Sequence, residues 1–311
     1  MNTAIKNRYD FVYLFDCTDS NPNGDPDAAN APRVDPQTMQ GLVSDVAIKR
    51  KIRNYVFLAK ATANGDGKLT PADGYDLHVK QGTVLNDNIR AACDASGLPR
   101  READAKSDKE KSKNRPPKEI AQLQFWLCQK FYDIRAFGSV LSTGPNAGQL
   151  RGPVQISFAR SIDPVLPLDI SITRICGTDE QKATEMGRKA AIPYGLYRCH
   201  GFISAHLAQQ TGFSEEDLKL LFRALCGRGS ETEQFLPSMM DPDVSAARRL
   251  APQKLVVFKH DSMLGNAPAH KLFERVVVPK IDVARSFEDY KPKVTIDRGD
   301  LPGGVKLLEL L

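Results

Sequence analysis

The chain has 311 residues, 41% of them apolar, and a formal net charge of +5. That length can bury a sizeable core, in one domain with insertions or in two, and no uncharged run approaches the twenty residues of a membrane-spanning helix. Residues 1–8 lack the apolar stretch of a secretory signal, which predicts a cytoplasmic protein. Six cysteines scattered without a Cys-x-x-Cys pair predict reduced thiols, not a zinc site or a disulfide framework.

Residues 9–15, Tyr-Asp-Phe-Val-Tyr-Leu-Phe, form a nearly continuous aromatic and β-branched run. Such a run predicts a strand buried on both faces, and it ends at Asp16. In the loop Asn21-Pro-Asn-Gly-Asp-Pro-Asp27 the prolines fix φ, Gly24 admits positive φ, and Asn and Asp bond their own backbone. Residues 41–56 predict a helix with Leu42, Val46, Ile52 and Val56 on its apolar face. Lys49 and Arg53, four apart, fall in line with that face, although a solvated charged stripe belongs opposite it. Two readings stand: heads paired with carboxylates such as Asp16 or Asp45, or heads at the rim of the core holding phosphate.

Ala63-Asn-Gly-Asp-Gly67 reads as a turn without the spacing of a calcium loop. A short helix is predicted within residues 84–93. Residues 99–118 are nearly all polar and predict a surface excursion without core positions, so residues 57–118 read as an insertion into one domain. A core helix follows at 119–132, with Ile120, Leu123, Leu127 and Phe131 at helical spacing and Trp126 packed beside them. Two glycine-marked stretches, Arg135-Ala-Phe-Gly138 and Gly148-Gln-Leu-Arg-Gly-Pro153, lead into a predicted strand at 154–160 with Val154, Ile156 and Phe158 inward. Glycines there permit close approach of another backbone, including a phosphodiester one. Residues 168–174 alternate as a second amphipathic strand, residues 176–191 form a polar tip, and residues 192–202 return as a strand, giving a projecting hairpin. Ser214-Glu-Glu-Asp217 starts a helix with Leu218, Leu221, Phe222 and Leu225 as its buried stripe and Gly227 as its stop. Residues 254–259 and 272–278 are the last predicted strands. The sum is an α+β fold with helices on one sheet face.

A long composite of these residues resembles a known family. The run 21–27, then Pro32-Arg-Val-Asp35, Gly41-Leu-Val-Ser-Asp45 and Ile48-Lys-Arg-Lys-Ile-Arg53, with Arg-Ala-Phe-Gly and Leu-Arg-Gly-Pro-Val-Gln further on, is similar to the backbone subunit of the type I-C Cascade complex. That family belongs to the CRISPR-associated RAMP superfamily. The resemblance implies a ferredoxin-like, RRM-like palm in one domain over residues 1–311. Inserted fingers (about 57–118) and a β-hairpin thumb (about 174–195) would project from it. Implied partners are a CRISPR guide RNA, target DNA by way of the guide, neighbouring copies and other Cascade subunits. Implied RNA contacts are Asn21, Asn23, Arg33, Lys49, Arg50, Arg53, Arg135, Arg151, Gln155, Arg188 and Lys189, with Met186 as an apolar wedge.

No phosphate-cradling Gly-x-x-x-x-Gly-Lys or dinucleotide motif is present, and His200 and His206 lie at a spacing unsuited to a shared metal. No cofactor or metal is expected. The acidic opening loop, with Asp16, Asp19, Asp25, Asp27 and Asp35, leaves one alternative to a non-catalytic RNA-binding subunit. That alternative is a metal-dependent ribonuclease using Asp25 or its neighbours.

Overall fold

The computed structural model describes residues 3–100, 115–175, 185–240 and 246–311. In chain order, β1 (Tyr9–Ser20) leads through the small hairpin β2 (Gly24–Asp25) and β3 (Ala31–Pro32) to β4 (Gln40–Val43) and α1 (Asp45–Lys60). A second small hairpin, β5 (Ala61–Ala63) and β6 (Leu69–Pro71), precedes α2 (Leu85–Ala95), α3 (Pro117–Lys130), α4 (Tyr132–Phe137) and the hairpin β7 (Gly138–Leu141) and β8 (Gly148–Arg151). Next come β9 (Val154–Ile156), β10 (Ala159–Pro164), β11 (Leu168–Arg174), the long β12 (Glu185–Ile203), α5 (Ala205–Thr211) and α6 (Glu215–Cys226). The chain finishes with β13 (Ala251–His260), α7 (Ala269–Phe273), β14 (Val276–Val277), β15 (Thr295–Ile296) and β16 (Val305–Glu309).

The main sheet is antiparallel in the order β16-β13-β1-β12-β10-β4, with β9 and β11 also paired to β12. Its centre, β1, is apolar at consecutive positions because both faces are covered. Phe11, Tyr13 and Phe15 face a core completed by Ile48, Ile52 and Val56 of α1 and by Leu218, Leu221 and Leu225 of α6. Val12 and Leu14 face Leu272, Phe273, Val276 and Tyr290 from the C-terminal segment. A third cluster joins α2, α3, α4 and β7 through Ile89, Leu123, Leu127, Phe131, Ile134 and Leu141. Trp126 meets Phe131 edge-on within this cluster, at 6.3 Å between centroids.

Several local expectations are corrected. β1 runs past Asp16 to Ser20, because it keeps pairing with β12 as far as Ser20↔Ile192. The predicted helix from residue 41 is a strand followed by a helix. Ser44, accepting from the Ala47 N–H, caps α1, and Gln40–Val43 pairs with β10. With that start Val46 is 63% exposed, and Ile48 and Tyr55 take the inner face beside Ile52 and Val56. The strand predicted at 154–160 breaks at Ser157, whose backbone N–H and hydroxyl bond the His200 backbone, and Phe158 turns outward. Residues 272–278 split between α7 and β14, while the unforeseen β16 completes the sheet edge. The excursion at 99–118 has a core position after all: Arg115 is 4% exposed and bonds Pro99 O, Pro145 O and Glu119. Pro117 and Lys118 already belong to α3, and residues 101–114 lie outside the described residues.

Candidate nucleic-acid interface

The opening loop is stiffened from within. Asn21, 5% exposed, donates through Nδ2 to Asn30 O at 2.6 Å, and Asn23 Oδ1 accepts from both the backbone N–H and the hydroxyl of Ser44 at 2.9 and 3.0 Å. The Asn21 side chain thus ties the loop across its own turn, and the Asn23 side chain ties it to the N-terminus of α1. Among the loop acids, Asp25 caps a 3₁₀ turn through the Asp27 N–H and pairs with Arg33 at 3.4 Å. Asp35 pairs with Arg160 at 2.8 Å, and that guanidinium holds its carboxyl below the usual range. Asp16 accepts from the Tyr194 hydroxyl at 3.1 Å, yet burial raises its pKa. The loop acids are thus spread over separate turns and ion pairs, and among the described residues no three His, Cys, Asp or Glu side chains gather as a metal site would require. Arg33 has a buried Nε without a hydrogen-bond partner among the described residues.

On α1 the reading of Lys49 and Arg53 divides. Lys49 pairs with Asp45 one turn back at 2.8 Å, as foreseen. Arg53 pairs with Asp133, not Asp16, also at 2.8 Å, and the same carboxylate accepts the His78 and Val79 N–H groups. Both cations lie over the Phe137 ring, at 5.7 and 5.3 Å. Their charge is already balanced inside the protein, whereas Arg50, next to them, is exposed with no partner among the described residues.

Arg135 is corrected outright. It is 8% exposed, forms a two-point ion pair with Asp217 at 2.9 and 2.8 Å, and donates to Cys128 O and Gly74 O. All of this ties α4 to α6 and places the guanidinium out of RNA reach. The glycines around it do serve close approach, but of protein backbone. Gly138, at φ +75°, and Gly152 each stand where an added Cβ would collide with the other's strand. That crossing sets Arg151, paired with Gly138 across β7–β8, beside Phe137, with its own side chain exposed and unpaired among the described residues. Gln155 lies elsewhere: it is the cross-strand neighbour of Phe202 on the sheet face away from α1, and it bonds Gly152 O.

The predicted hairpin is present, though its return strand begins earlier than foreseen, at Glu185. β11 pairs with the first third of β12 from Leu168↔Ala191 to Arg174↔Glu185, and the tip at 176–184 lies outside the described residues. The ribbon is exposed on both sides. Leu168, Ile170 and Ile172 share one face with Lys189, and Met186 and Arg188 are on the other. Arg188 touches Asp169 at 3.3 Å but remains 80% exposed. The base of this arm rests beside the opening loop, where β1 ends against Ile192. There sequence reasoning missed Arg248 and Arg249, both exposed: Arg248 donates to Asn30 and the Arg249 carbonyl accepts from Ser20. Their adjacency in the sequence was the available signal.

Loop, α1 and arm therefore converge on one end of the sheet. The family model described as CRISPR-associated protein Cas7 matches residues 7–297, nearly the whole chain. The chain belongs to the Cas7 family. A CRISPR-associated protein Cas7 of Haloferax volcanii is 28% identical over 258 residues, 73% of this chain and 65% of the relative, so this Cas7 chain spans just under two thirds of that relative's length. Two solved structures are more loosely similar. A CRISPR RNA-guided surveillance complex, pre-nicking, gives a TM-score of 0.46 at 13% identity over 95% of this chain and 84% of that one. A further CRISPR RNA-guided surveillance complex gives 0.43 at 12% over 91% and 84%.

Proposed function

We propose that this Cas7 chain is a non-catalytic backbone subunit that polymerises along a CRISPR guide RNA in a type I-C Cascade surveillance complex, working in the cytoplasm. It would hold the RNA backbone and present bases to target DNA. The observation that carries this is the family match over residues 7–297. In this reading the main sheet with α1 and α6 is a ferredoxin-like, RRM-like palm, residues 57–118 are the fingers, and the arm around 174–195 is the thumb, all in one domain. Arg50, Arg151 and Lys189 take phosphates, because their charge is not spent on an internal acid, and Arg33, half-exposed beside Asp25, adds a shared contact. Arg188 adds a weaker contact, and Met186, 79% exposed, is the wedge. Asn21 and Asn23 brace the loop beside the guide, while Lys49 and Arg53 support the surface from behind. Contacts of this kind read the RNA backbone and not its sequence. Neighbouring copies and other Cascade subunits complete the assembly.

Purification of the expressed protein with its CRISPR locus tests the proposal. RNA protected in a regular length ladder, and still intact after incubation with Mg²⁺, is the expected result. Protein free of RNA removes the proposal, and shortening of the guide by Mg²⁺ that is lost on Asp25→Asn moves it to a ribonuclease.

A further inference from the structure

The sheet face away from α1 carries a cleft of about 800 Å³. Its floor is Arg198, on β12. The guanidinium donates from Nε to His200 Nε2 at 3.1 Å and from its two terminal nitrogens to Val276 O at 2.8 Å and Phe273 O at 2.7 Å. Three of its five N–H donors are used, each on a neutral acceptor. Burial pulls its pKa down, and among the described residues no carboxylate acts against the shift. A half-buried guanidinium without a counter-charge is an unfavourable arrangement that an anionic group corrects.

The walls are apolar. His200, kept neutral by burial and by Arg198, with its pKa pushed down to about 4, stacks on Phe273 at 4.4 Å and 16°. Phe202 meets the same Phe273 ring edge-on at 5.6 Å. Phe202 and Val277 are 36% and 51% exposed at the opening. The guide-binding reading does not use this surface, and the exposed parts of Phe202 and Val277 are left uncovered by the sheet's packing.

We propose that the cleft docks a segment of a partner protein that places one large apolar side chain against Phe202 and Phe273 and one carboxylate on Arg198. A nucleic-acid strand fits it less well. Phosphate tracking needs a row of cations, whereas here a single half-buried Arg with most of its donors engaged lies below a rim that carries Glu274 and His270, and Ala269 and three valines form the remaining wall. One carboxylate matched to one desolvated guanidinium, beside an aromatic pocket, is the pattern of a protein–protein anchor.

The test pans a random peptide library of about twelve residues on the purified chain. Enriched sequences are expected to pair Asp or Glu with a neighbouring Leu, Ile or Phe. A synthetic peptide of that consensus, followed by fluorescence anisotropy, should lose about tenfold in affinity or more to F202S and V277S. Changing its acid to the amide should cost as much. Both protein positions are partly exposed, so melting temperatures should fall only slightly, and R198Q serves as a third variant where it folds. No enrichment, a consensus without an acid, or binding indifferent to F202S overturns the proposal. Displacement of the peptide by an oligouridine of about ten nucleotides overturns it in favour of a nucleic-acid subsite. None of these measurements requires guide RNA to be present.

Discussion

Arg135 bonds three groups on three segments, and its loss strands more than one of them. Its partner Asp217 also accepts the backbone N–H and hydroxyl of Ser214 in the capping box of α6, so the ion pair and the helix start are one network. Removing one member of a buried pair costs about 3–5 kcal/mol. Arg135→Ala is therefore expected to lower the urea midpoint steeply and to leave little soluble protein, an outcome that RNA cannot rescue; unchanged stability would place the guanidinium outward. The two partners lie 82 residues apart, which explains why the sequence suggested phosphate binding: a long-range carboxylate leaves no local trace. Asp16 makes a second residue-scale prediction, through pH. Its folded pKa is raised by burial, so its contribution to stability is fully present below the unfolded carboxylate pKa, near 3.9, and is lost as pH rises through the higher folded value. Asp16→Asn keeps an acceptor for the Tyr194 hydroxyl and cannot ionise. Relative to that variant, the parent protein should lose stability as pH climbs from about 4 toward neutrality. A parent that gains stability over the same interval would contradict the burial argument.

At the scale of elements, the arm is a two-stranded ribbon exposed on both faces, and such ribbons contribute little stability on their own. Replacing residues 168–190 by a short flexible turn, with buried Val165 and Ala191 retained, should leave the melting temperature almost unchanged while abolishing assembly on guide RNA. A large fall in melting temperature would mean the arm supports the fold. Legibility follows the same division between local and distant causes. β11 was readable to its end residues because alternation is written in seven successive positions, and α6 because Ser214, Asp217 and Gly227 are chemical start and stop signals. β4 was read as helix because its residues could extend α1, and only pairing with β10 decides otherwise. β16 escaped because Val305-Lys-Leu-Leu-Glu309 has no clean period, and it becomes a strand by lying along β13. Of the candidate site, the loop, the helix and the arm were legible as segments. Which of their cations are free was not, since that depends on where acids arrive from elsewhere in the fold.

For the whole molecule, the net charge of +5 says less about nucleic-acid binding than the way positive groups are distributed between internal pairs and open surface. Lys49 and Arg53 are neutralised by Asp45 and Asp133, whereas the exposed Arg50 and Arg151 have no acid partner among the described residues. Two double variants separate these classes. Arg50→Ala with Arg151→Ala should leave the melting temperature within error, because neither side chain has a protein partner to strand among the described residues. It should flatten the salt dependence of RNA binding by about 1.4 units, at about 0.7 per phosphate contact on a single strand. Lys49→Ala with Arg53→Ala should do the reverse. Asp133 is 1% exposed and would keep only its backbone donors, so stability falls first and the salt slope of whatever remains folded changes little. Melting curves and affinities at several salt concentrations, measured on both proteins, decide the matter. If the second pair flattens the salt slope and the first does not, the guide runs along the Asp45–Lys49 edge of α1, and the internal ion pairs open when RNA binds.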